Sequence, residues 1–207
     1  MKSKDYLKDI SEIKDLMKKS SRFISLSGLS GILAGIYALI GTYLAYDIIY
    51  VTQSPFDDYK TLVLYELEII QLFAIAFLVL IISIATGIIL SWRKAKKNKE
   101  SIWDATSKRL LINFLIPLVT GGFIILSMIE KEVYLYIAPL TLIFYGLALV
   151  NASKYTIGYV RYLGLTLIVV GLACAWFLGY GLFFWALGFG LCHIIYGTIM
   201  YYKYDRN

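Results

Sequence analysis

Histidine occurs once in this 207-residue chain, cysteine twice and proline three times, and only 16% of the residues are charged. Each shortage excludes something. A single histidine without metal-spaced cysteines cannot build a metal site alone, and there is no His-Glu-x-x-His, Gly-x-Ser-x-Gly or phosphate-cradling glycine loop. No cofactor and no metal are therefore expected. An aqueous domain is about 25% charged and 45–50% apolar. Here the apolar share is 59% and the mean hydropathy +0.71, a surplus that needs lipid as its solvent. The first 22 residues carry Asp5, Asp9, Glu12 and Asp15 among the lysines and lack an apolar core with a small-residue cleavage site, so they do not read as a cleavable signal peptide.

What is present is a series of long apolar runs. A membrane-crossing helix needs about 20 largely apolar residues, and six stretches qualify: 23–46, 62–90, 110–129, 133–152, 162–179 and 182–202. Glu130-Lys131-Glu132 and Tyr180-Gly181 leave so little chain between neighbouring runs that those runs must form antiparallel hairpins. The expected fold is an all-α integral membrane protein, a six-helix bundle of three antiparallel hairpins over 23–207. Cys174 and Cys192 lie about six and twelve residues from the last turn, a depth mismatch of roughly 9 Å. That exceeds disulfide reach, and two buried free thiols are expected.

Charge sets the orientation. Seven lysines and arginines precede the first run, seven lie in 92–109, Lys154 and Arg161 flank the next loop on that side, and Lys203 and Arg206 close the chain. Those eighteen face Lys60 and Lys131 on the other side. The basic side, with both termini, is expected in the cytoplasm. The opposite side carries Asp47, Asp57, Asp58, Glu66, Glu68, Glu130 and Glu132, a cation-attracting mouth or simply a wet surface from which basic residues are excluded. The basic 92–109 loop is explained by orientation and by attraction to anionic lipid, and is too short for a nucleic-acid domain.

Residues 1–22 form a separate cytoplasmic element. Tyr6, Leu7, Ile10, Ile13, Leu16 and Met17 recur at helical spacing, with Ser3 as N-cap. A basic amphipathic helix before a membrane span lies in the headgroup plane or docks a cytoplasmic partner through residues 3–20.

An internal repeat relates the last two hairpins. Arg109, Gly121-Gly122 and Ile143-Phe144-Tyr145-Gly146 match Arg161, Gly171 and Ile194-Ile195-Tyr196-Gly197; Arg22, Gly35 and Gly87 fit more loosely. With its Ser25-Leu26-Ser27-Gly28-Leu29-Ser30-Gly31 run and the closing Gly188-Phe189-Gly190 and His193-Ile194-Ile195-Tyr196-Gly197, the chain resembles uncharacterised six-helix bacterial inner-membrane proteins. More weakly, the hairpin pattern is similar to bacterial acid-resistance membrane proteins built of repeated hairpins. The resemblance implies a bacterial inner membrane and brings no catalytic motif.

Two groups of residues are candidates for function. Ser27, Gly31 and Gly35 recur every four residues, as do Ser30, Ala34 and Ala38, giving flat stripes that let helix backbones approach closely. They pack within the bundle, form a homo-oligomer seam, or line a lipid or substrate groove, in that order. His193, near the middle of the last helix, with Glu68, Gln71 and Asp47 at the acidic mouth, is the candidate ligand or proton site. A neutral packing histidine is the blander alternative. Three functions follow: a non-enzymatic accessory or stress-related membrane protein, a small transporter or channel using His193 and the outer carboxylates, and, least supported, an intramembrane enzyme.

Overall fold

The computed structural model describes residues 26–50, 66–98 and 103–206. The amphipathic segment 3–20 lies outside the described residues. Those described are helical, with no strand among them, and they include six helices long and apolar enough to cross a membrane. These are α1 (Gly28–Tyr50), α2 (Glu66–Lys97), α3 (Ala105–Glu130), α4 (Ile137–Ala152), α5 (Tyr159–Trp176) and α6 (Gly181–Asp205). Short 3-10 turns, Tyr134–Tyr136 and Ser153–Tyr155, flank α4.

Local chemistry moves several ends away from where hydropathy places them. α2 runs 32 residues, about 48 Å, because Trp92–Lys97 continue the helix; Glu66 and Glu68 in its first turn and Lys94, Lys96 and Lys97 in its last suit the helix dipole. α3 starts at Ala105 because Asp104 caps it, accepting from the Ser107 N–H and hydroxyl at 2.7 Å each. Desolvation pushes the Asp104 carboxyl up, but the Ser107 and neighbouring hydrogen bonds together outweigh it and hold the group below its ordinary value.

α3 contains Pro117, which has no N–H to give the carbonyl of Asn113 four residues earlier. The Asn151 side chain of α4 donates to that carbonyl at 2.8 Å. Asn151 thus repairs a bond that proline breaks, and ties α3 to α4 in doing so. At the other end α3 closes with a Schellman motif: the Val133 N–H bonds Met128 O at 2.8 Å and the Glu132 N–H bonds Ile129 O at 3.0 Å. Glu132, at φ 57°, occupies the left-handed position that glycine usually fills. The α5–α6 turn places Gly179 at φ 102° instead.

The two most extensive helix contacts are α1 with α6 and α4 with α5, neither of them inside a predicted hairpin. Among the described elements, α2 packs substantially on α1 alone, and α3 on α4 and its flanking turns. The helices therefore neighbour one another in the order α2, α1, α6, the α4–α5 pair, and α3. α6 is central; it is π-helical over Ala186–Cys192, between two α-helical stretches, and again at its end over Tyr201–Asp205.

Small residues are inside and large ones outside. Ala38, Ala45, Ala95, Ala148 and Ala152 are buried, whereas Ile40, Tyr43, Phe77, Ile88, Phe123 and Val169 are at least half exposed. That inversion suits lipid, where association rests on close backbone approach rather than on burying apolar side chains. A methyl on Gly146 would lie 2.7 Å from Gly164 O, and one on Gly164 2.7 Å from Gly146 O, so α4 and α5 meet backbone to backbone. Larger side chains fill two clusters. Leu142, Leu163, Leu167, Cys174 and Cys192 join α4, α5 and α6; Ile157, Val160 and Met200 seal the basic end. Both cysteines are free and buried.

Candidate functional site

His193 projects from α6 just past the first π-helical stretch, and it is buried. Its Nδ1 lies 3.0 Å from Gly188 O and its Nε2 3.3 Å from the Tyr145 hydroxyl of α4. A carbonyl can only accept, so Nδ1 carries a proton, while the Tyr145 hydroxyl can donate to or accept from Nε2. Both ring nitrogens are satisfied. Phe189 stacks on one side of the ring and Tyr145 tilts over it, with centroids 5.9 and 5.6 Å away. A second polar pair, Thr166 Oγ1 of α5 and the Tyr196 hydroxyl of α6, lies 3.0 Å apart.

The residues grouped with His193 from sequence are not among these partners. Asp47 is exposed at the far end of α1, Gln71 is exposed on α2, and Glu68 is half-buried in the first turn of α2. Among the described residues no three histidine, cysteine or acidic side chains cluster as metal ligands would.

The small-residue face of α1 lies against α6. A methyl on Gly31 would lie 3.2 Å from Gly197 Cα, and one on Gly35 2.6 Å from Gly190 O. Gly28 meets the Tyr201 backbone. Ala38 is buried, Ala34 half-buried, and Ser27 buried where α1 begins. The Tyr-Gly pairs of the repeat do parallel work: Gly146 seats α5 and Gly197 seats α1. Gly87 of α2, their counterpart, has nothing within 4 Å of where a Cβ would be, and neither does Gly122 of α3.

A third polar centre was not anticipated. At the basic end, Asp205 Oδ1 accepts from Lys94 Nζ at 2.6 Å, and Oδ2 accepts from the Gly28 N–H at 2.8 Å and from Ser27 Oγ at 3.1 Å. Lys94 also donates to Leu26 O at 2.9 Å. The two charged side chains are 13% and 10% exposed. Asp205 therefore caps α1 from the last turn of α6 while holding the end of α2. Its only sequence signal is an acid between Lys203 and Arg206 at an otherwise basic end. Between α1 and α2 runs an apolar groove of about 400 Å³, lined by Tyr37, Gly41 and Leu44 on one side and Ile75, Leu78 and Ile82 on the other.

The chain matches no protein-family model, no characterised protein and no solved structure.

Proposed function

We propose that the protein is a non-enzymatic, multi-pass component of a bacterial inner membrane, with both termini cytoplasmic and its six helices disposed as three hairpins, acting through helix contacts with a partner protein or a second copy. The observation that carries this reading is α2. Among the described residues, none of its most apolar stretch is buried, its substantial contact is with α1 alone, and Gly87 on it seats no neighbour. Gly146 and Gly197 each seat a helix backbone, and lipid supplies no hydrophobic gain for leaving such a position open.

A photo-crosslinking residue at Ile84 or Ile88, 50% and 65% exposed on α2, tests it in native membranes against one at Val169, 65% exposed on α5. Discrete protein adducts are expected from α2 and not from Val169; no adduct from α2 sinks the reading. Reporter fusions at residues 55 and 100 test the orientation, and finding residue 100 outside would reverse it.

Transport through His193 is a second reading, favoured by the two polar pairs that join α4, α5 and α6 in the bundle. It is the weaker one, because both nitrogens of His193 are already paired and the acidic-end residues are not its partners. An intramembrane enzyme has the least support, the groups on His193 being a phenol and a carbonyl.

A further inference from the structure

The end of α6 and the residue that follows it carry Lys203, Asp205 and Arg206 within four residues, yet the structure sorts them by sign. Asp205 turns inward to Lys94, Ser27 and Gly28. Lys203 and Arg206 stay exposed and have no carboxylate partner among the described residues. Lys203 is held in place nonetheless. Its Nζ donates to the Tyr159 hydroxyl at the start of α5 at 3.0 Å, and lies 4.9 Å from the Tyr159 ring centroid and 6.0 Å from that of Tyr204. The Arg206 guanidinium lies 5.6 Å from the Tyr202 ring. Aromatic rings with cations above them at the end of an apolar helix are the composition of a membrane–water interface. Here, with Asp205 turned inward, no carboxylate among the described residues pairs with these cations.

We propose that this rim, Lys203 and Arg206 set on Tyr159, Tyr202 and Tyr204, seats the headgroup phosphate of an anionic phospholipid. Charge complementarity selects the ligand, and the ends of six apolar helices place the rim at the height of lipid phosphates. The inference rests on the chain spanning a bilayer, and only its assignment to the inner leaflet rests on the proposed orientation. It differs from diffuse attraction by the basic 92–109 loop in naming an oriented ammonium: Tyr159 is a positioning residue, holding Lys203 where a phosphate can meet it.

The test uses the full chain in phosphatidylcholine nanodiscs titrated with phosphatidylglycerol, with retained lipid counted by mass spectrometry. Replacing both cations (Lys203→Gln with Arg206→Gln) is expected to weaken retention about 25-fold, two contacts of roughly fivefold each. The charge-matched loop pair, Lys96→Gln with Lys97→Gln, is expected to leave it within about twofold. Tyr159→Phe keeps every charge and is expected to weaken retention about threefold. Lys203→Arg with Arg206→Lys is expected to retain lipid, which guards against reading misfolding as lost binding. Equal losses from rim and loop pairs, or no change in Tyr159→Phe, would overturn the proposal in favour of net charge alone. So would inorganic phosphate displacing the lipid outright. Both disc faces carry the same lipid, so the outcome is independent of orientation, which the reporter fusions score separately.

Discussion

Replacing Asp205 by asparagine should destabilise the protein far more than a surface substitution near a chain end ordinarily does. The carboxylate takes three donors, from Lys94, Gly28 and Ser27, and the ion pair is 13% and 10% exposed. An exposed pair is worth about 0–1 kcal/mol, whereas stripping one partner from a buried pair costs about 3–5. A tenth exposed, this pair lies between the two cases, and loss of the α1 cap adds about 1 kcal/mol when the oxygen is removed altogether. Asp205→Asn keeps an oxygen for Gly28 but strands the Lys94 ammonium, and about 2 kcal/mol is expected; Asp205→Ala should cost about 3. Lys94→Met leaves the carboxylate with its two remaining donors and should cost about 2 kcal/mol. Because both single variants lose the same interaction, the double variant Lys94→Met with Asp205→Asn should fall short of their sum by about 1–2 kcal/mol. Unfolding free energy measured by SDS titration in mixed micelles reads all four states. Additivity within about 0.5 kcal/mol, or a neutral Asp205→Asn, would show that water already dissolves this contact.

Two further substitutions follow from local geometry. Asn151→Leu should destabilise by about 0.6–1.7 kcal/mol in the same titration, from the mean to the maximum for interhelical hydrogen bonds in membranes. It should cost distinctly less in a Pro117→Ala background, where an N–H again reaches Asn113 O; an unchanged cost would mean that Asn151 is not repairing the proline. Glu132→Gly should raise stability by about 1 kcal/mol, since a left-handed non-glycine residue carries a penalty of roughly that size; a thermal scan showing a loss would mean that the Glu132 side chain has a role of its own.

The six spans were readable because lipid makes hydropathy decisive, and their ends were readable only where hydropathy also sets the end. α3 begins at Ala105 rather than 110 because Asp104 and Ser107 form a cap that an apolar window does not register. α1 begins at Gly28 with a cap supplied by Asp205, 177 residues away, and no local pattern can signal that. The helix order was hidden for a related reason. Small residues mark which faces approach closely, but the same glycines suit any neighbour. Gly31 and Gly35 were recognisable as a seam, while α6 as the helix that fills it was not. The π-helical stretch left only a faint sign in the Gly188 and Gly190 spacing, where Leu142 and Leu39 now pack. His193 drew notice as a lone ionisable group, and its partner Tyr145 stood in the repeat motif without being read as a partner.

Two of the three polar centres differ in what they can do for a helix bundle in lipid. The His193–Tyr145 contact lies inside the best-packed part, where α4, α5 and α6 are already held by backbone approach and by the Leu142 cluster. Removing it subtracts one bond among many. The Lys94–Asp205 contact joins helices of unequal security: α1 and α6, which share one of the two most extensive contacts, and α2, which otherwise touches little but α1. In lipid, α2 gains nothing hydrophobic by staying beside α1, and an open apolar groove of about 400 Å³ runs along their contact. The ion pair is then a principal reason for α2 to keep its place and angle. Any partner that binds the exposed face of α2 meets a helix oriented by Lys94 and Asp205. Breaking that pair should therefore weaken partner crosslinking at Ile84 and Ile88 even under conditions where α3 to α6 remain folded.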